Sequence, residues 1–103
     1  MYIERRGVGI NMDEVRIFWT DYMKYRVCLR DFDLAMLEHI VRYSTERYLD
    51  TATGRFVAVG QHGVCLVMIP YERTGEMVTP VTAHVTSRQQ INSRMRSGRF
   101  TNE

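Results

Sequence analysis

Six consecutive apolar residues, Val64-Cys65-Leu66-Val67-Met68-Ile69, constrain this chain more than any other stretch. A run this short, rich in β-branched residues and bounded by turn signals, predicts a central strand buried on both faces. Turn-forming sequences recur around it. Thr51-Ala52-Thr53-Gly54 precedes the segment Arg55 to Gly60, Gln61-His62-Gly63 precedes the apolar run, and Arg73-Thr74-Gly75-Glu76 follows it. With a short strand over Arg47-Tyr48-Leu49-Asp50, the spacing predicts an antiparallel meander of three or four strands. Met77 to Val85 is expected to be its last strand. Pro80 has no amide hydrogen to give to a ladder, so it must sit at an edge-facing position or a bulge.

Helices are expected before and after these strands in the chain. Asp33 is a good N-cap, and Leu34, Leu37, Ile40, Val41 and Ser44 recur at helical spacing, which predicts a helix over 33–44. The segment Val15-Arg16-Ile17-Phe18-Trp19 reads as a strand by residue type. Val15, Phe18, Trp19 and Tyr22 also fit a helix face, with Asn11 and Glu14 as its start. We prefer a strand at 15–19 followed by a short helix over 20–29. Near the other end, Ser87 with Gln90 forms a capping box and Gly98 is a natural stop, so a helix runs between them. Its apolar stripe is only Ile91 and Met95, which predicts a half-docked helix or one that completes its burial on a partner. The fold class expected is α+β: a small antiparallel sheet, one or two N-terminal helices packed on it, and a C-terminal helix. At 103 residues the chain is expected to be one domain, with residues 1–12 as a loose arm.

Charge adds a direction. Net charge is +2, but residues 85–103 carry Arg88, Arg94, Arg96 and Arg99 against Glu103 alone, while the first 84 residues carry 10 basic and 11 acidic side chains. Thirteen of the 14 basic residues are arginine, with Lys24 the one lysine. Arginine suits phosphate and stacks on bases, although genomic base composition also enriches it. No transmembrane run and no secretory signal are read at the start, so a cytoplasmic location and no membrane partner are expected. Cys28 and Cys65 are isolated among apolar residues and are expected to be reduced and buried.

The residues that point to chemistry gather at the last strand and helix. Alternation places His84 on one face with Thr82 and Thr86, and Val81, Ala83 and Val85 on the core side. His84 is then either a surface residue or one lining a groove, where it would serve as general acid or base. Arg88 opens the last helix, where a cation opposes the macrodipole; either a phosphate on the free amides or a nearby carboxylate would resolve the conflict. Arg94, Arg96 and Arg99 are candidates for a nucleic-acid backbone, or a solvated helix end. Arg47 and Tyr48 are a candidate pair for phosphate and base, and Tyr71 a candidate stacking residue, against ordinary packing for each aromatic. No metal-ligand spacing, nucleophile elbow or phosphate-cradling glycine loop is present, so no metal and no cofactor are implied.

This order of elements resembles the small toxins of the RelE/ParE superfamily, and its BrnT-like branch in particular. Phe18-Trp19-Thr20-Asp21 followed by Phe32-Asp33-Leu34 is similar to the opening of BrnT-like proteins. Arg47-Tyr48-Leu49-Asp50 with Thr53-Gly54-Arg55 is similar to related small domains beside short antitoxin-like genes. The resemblance implies a metal-independent endoribonuclease of a toxin–antitoxin pair, in which the RNA's own 2′-hydroxyl attacks the adjacent phosphate. Mapped by role, His84, Arg88 and Arg47 would be catalytic, and Tyr48, Tyr71, Arg94, Arg96 and Arg99 would bind RNA. The partners implied are RNA or the ribosome and a cognate antitoxin; homo-oligomerisation stays open. The alternative is a non-catalytic interaction module that docks a protein or nucleic acid through its C-terminal helix.

Overall fold

The computed structural model describes Met12 and residues 15–102, and within them the chain is an α+β protein. The elements are β1 (Arg16–Ile17), α1 (Asp21–Leu29), α2 (Leu34–Tyr43), β2 (Glu46–Asp50), β3 (Arg55–His62), β4 (Cys65–Thr74), β5 (Met77–Pro80), β6 (His84–Thr86), α3 (Arg88–Arg96) and β7 (Phe100–Asn102). The arm expected over residues 1–12 lies outside the described residues, apart from Met12, which is buried. Among the described residues no helix is long and apolar enough to cross a membrane.

The meander is four-stranded, β2-β3-β4-β5, and all of it is antiparallel. It is extended on both sides: β1 adds parallel to β5, and β7 adds antiparallel to β2. Apolar side chains of the central strands enter two separate cores, one on each face. Ala58, Val67, Ile69, Tyr71 and Val78 face α1 and α2, which contribute Met23, Val27, Leu37, Ile40 and Val41. Val57 and Val59 face the other way with Tyr48 and Phe100, and α3 closes that side with Ile91. The short helix–strand choice at the beginning of the chain resolves as β1 then α1, because Thr20 caps the helix with its hydroxyl on the Met23 amide at 3.0 Å. Asp33 caps α2 as expected, accepting from the amides of Ala35 and Met36. The second turn falls at Gly63 and Val64, so Gln61 and His62 belong to β3.

Some expectations need correction. Met77 to Val85 is not one strand. Pro80 pairs with Tyr71, but the next pair down β4 is Met68 with His84, so three steps on β4 match four on the other chain segment. This is a β-bulge of one residue, and the alternation changes phase across it. Thr86 is therefore buried at 8% exposure, while Val85 is 58% exposed, the reverse of the expected faces. Pro80 fits because the carbonyl of Val78 accepts from Phe18 on the β1 side; by alternation the nitrogen of Pro80 also faces away from β4. The last helix is also not half-docked. Ile91 is fully buried and Met95 packs against the same cluster. It then stops at Gly98, φ 82°, and the chain returns as β7.

The cysteines differ from expectation as well. Cys28 lies on the outer flank of α1 and is exposed, and Cys65 at the start of β4 is half-buried; both are free thiols.

Candidate nucleic-acid interface

The C-terminus of α1 meets the edge strand β6, and this junction holds His84. The helix ends in a Schellman turn: the amide of Phe32 donates to the Val27 carbonyl at 3.0 Å, and Asp31 takes a left-handed φ of 61°. The turn carries Arg30 across to β6, where Nη1 donates to the Ala83 carbonyl at 2.9 Å and to His84 Nδ1 at 3.1 Å. A guanidinium can only donate, so Nδ1 is the bare nitrogen and the ring proton is assigned to Nε2. Burial lowers the His84 pKa below its usual value, and the charges of Arg30, Arg26 and Arg94 lower it further. The imidazole is therefore neutral near pH 7. Its basic nitrogen is occupied, and its free position is an N–H donor. That arrangement suits hydrogen bonding to an anion better than proton abstraction.

Arg26, Arg30 and Arg94 have no carboxylate partner among the described residues. Arg26 donates to the Tyr22 hydroxyl and lies 5.6 Å from that ring's centroid. Arg94 lies 5.6 Å from the centroid of Phe100. Among the described residues four other arginines are neutralised: Arg42 by Glu38, Arg55 by Glu72, Arg88 by Glu46 and Arg99 by Asp50.

The expected catalytic trio does not come together. Arg47 points to the α2 side of the sheet, whereas the pairing of His84 with Met68 puts the histidine on the α3 side. Arg47 closes the C-terminus of α2, donating to the carbonyls of Val41 at 2.6 Å and Ser44 at 2.9 Å, and to the Tyr71 hydroxyl at 3.1 Å. Arg88 grips Glu46 with two nitrogens, at 2.5 and 3.1 Å. The carboxylate, not a phosphate, resolves the charge conflict at the start of α3. Tyr48 donates to the same carboxylate at 2.6 Å. Burial would raise the Glu46 pKa, but the hydrogen bonds from Arg88 and Tyr48 outweigh it and hold the carboxyl below its usual value. Burial, then the neighbouring Glu46, pushes the Tyr48 hydroxyl up to about 12.

Of the expected RNA-binding residues, Tyr48 is buried and stacked on Phe100 at 5.4 Å, and Tyr71 is buried against Phe56. Neither ring is open to a base. Arg99 is bidentate with Asp50, which fastens β7 to β2. Arg94 and the exposed Arg96 remain accessible on α3. The residues that sequence reasoning missed are Arg26 and Arg30. One signal for them was present: two arginines four apart at the end of a short helix, with no acidic residue three or four positions before either. No group of three or more histidine, cysteine, aspartate or glutamate side chains that could hold a metal occurs among the described residues.

Compared with protein-family models, with curated proteins and with solved structures, the chain matches none.

Proposed function

We propose that this protein is a non-catalytic RNA-binding module whose phosphate contacts are made at the α1–β6 junction. One observation carries the reading: Arg26, Arg30 and Arg94, none paired with a carboxylate among the described residues, act together on one neutral histidine. Cations left without counter-charges around one neutral group are costly unless an anion visits them. A phosphate oxygen there would accept from His84 Nε2 and from the guanidinium of Arg30. Within a toxin–antitoxin pair, such a module would act by holding RNA or a ribosomal surface. The cleaving reading loses support because Arg47 and Arg88 are committed to internal contacts on different sides of the sheet.

The test is fluorescence anisotropy with an end-labelled single-stranded RNA over a range of salt concentrations. Binding should weaken with salt. Each of Arg30→Gln and Arg94→Gln should lower affinity and reduce the log–log salt slope by about 0.7 if it removes one phosphate contact. Unchanged affinity and slope in both variants would remove this site. The same samples run on a denaturing gel decide the chemistry: intact RNA is expected, and cleavage abolished by His84→Ala would restore the ribonuclease reading.

A further inference from the structure

Helix α1 is apolar on two opposite sides, which a helix covered on one side does not need. Met23 and Val27, four residues apart, supply its buried face. Tyr22, Tyr25 and Leu29 lie elsewhere on the helix and are 59%, 62% and 64% exposed. At 100° per residue, Tyr25 points almost directly away from the core, with Leu29 and Tyr22 beside it. Arg26 and then Arg30 occupy the flank between this stripe and the β6 edge. Just before the helix, Phe18 is 53% exposed as well.

Resting on the RNA-binding reading above, we infer that the outer face of α1 is the base-stacking half of the same site, and that its ligand is single-stranded RNA. The two halves are complementary in kind. The guanidinia of Arg26 and Arg30, whose backbone positions are four residues or about 6 Å apart along the axis, take phosphates. Tyr22 and Tyr25 offer ring faces that tolerate any base. The Arg26 guanidinium already donates to the Tyr22 hydroxyl, which holds that ring at the border between the two halves and leaves its faces open. Charge at the helix agrees: over residues 21–31 Lys24, Arg26 and Arg30 stand against Asp21 and Asp31, a net positive balance. A duplex would present phosphates to the arginines but no base faces to the tyrosines, so the site discriminates by strandedness rather than by sequence.

The experiment compares an eight-nucleotide single-stranded RNA with a duplex of the same sequence, for the wild type, Tyr25→Ala, Tyr22→Ala, Tyr25→Phe and Arg30→Gln. Both tyrosines are exposed, so circular dichroism should be unchanged in their variants. The wild type should prefer the single strand. Each alanine variant should lose between about 5- and 150-fold in single-strand affinity, the range for one base–aromatic stack, with the salt slope retained. Tyr25→Phe should retain affinity, because stacking needs the ring and not the hydroxyl. A wild type that binds no RNA would sink the RNA-binding reading itself. A wild type that binds single strand and duplex equally, with alanine variants unaffected, would leave that reading standing and overturn this one. Sedimentation of the wild type as a dimer that Tyr25→Ala dissolves would also overturn it, assigning the face to a second copy of the chain.

Discussion

Truncating Ile91 to alanine tests whether α3 belongs to the folded core or merely lies on it. The side chain is fully buried between α3 and the face of Tyr48, Val57, Val59 and Phe100. The substitution removes three carbons, worth about 2.4 kcal/mol in transfer alone at about 0.8 kcal/mol each. A cavity term adds to this, because the opposing residues are held by strand ladders and cannot collapse into the space. A total of about 3–4 kcal/mol is expected, inside the range for isoleucine-to-alanine changes in cores. Against a typical stability of about 5–15 kcal/mol this is a large fraction. Urea unfolding reads it as a midpoint lowered by roughly 1–4 M. Trp19, the one tryptophan, packs on the opposite core and serves as the probe. If its transition moves with the mutation at Ile91, the two cores unfold as one unit. A Trp19 midpoint displaced by less than about 1 kcal/mol equivalent would refute the argument and show that α3 can leave without the rest. RNA affinity should fall with α3 disturbed, since Arg94 rides on it.

Two further outcomes are expected. Gly60→Ala places a Cβ 2.8 Å from Ile40 Cγ2 and 2.9 Å from Cγ1, so α2 must shift on β3; thermal melts should show a loss of about 1–3 kcal/mol, and the double variant with Ile40→Ala should cost clearly less than the sum of the singles, simple additivity counting against the clash. For His84 the folded-state pKa is lower than the unfolded one, so on acidification the unfolded chain takes up this proton first: its contribution to stability is complete above about pH 6.5 and is lost as pH falls below that. Melting temperatures at pH 7.5 and 5.5 should therefore differ more in the wild type than in His84→Asn, and an equal difference in both would disprove the assignment.

The parts of the fold that were legible in the sequence are those specified locally. Asp33 and the Leu37, Ile40, Val41 spacing mark α2; the apolar run marks β4; Ser87 accepts from the Gln90 amide at 3.1 Å as its position implies. What could not be read depends on partners far along the chain. The bulge after Pro80 leaves no mark on alternation until β4 is present to count against. Strand β7 is three residues long and exists because β2 offers it an edge and Asp50 offers Arg99 a carboxylate, 49 positions away. The site divides in the same way. His84 was legible as a residue of interest, but its companions were not. Glu46 holds Arg88, and Val41 and Ser44 hold Arg47, through contacts that no local pattern encodes, while the spacing of Arg26 and Arg30 marks them as unpaired but not that the end of α1 rests on β6.

The extra residue between Pro80 and His84 has a consequence for which changes this chain can tolerate. It works as a phase shifter on a two-beat pattern, setting which side every later residue of β6 faces. Val81, Thr82 and Ala83 are thus constrained in number more tightly than in identity. Loss or gain of a single residue there would exchange the places of His84 and Val85, turning the histidine away from the α3 side of the sheet and leaving the guanidinium of Arg30 opposite a methyl group.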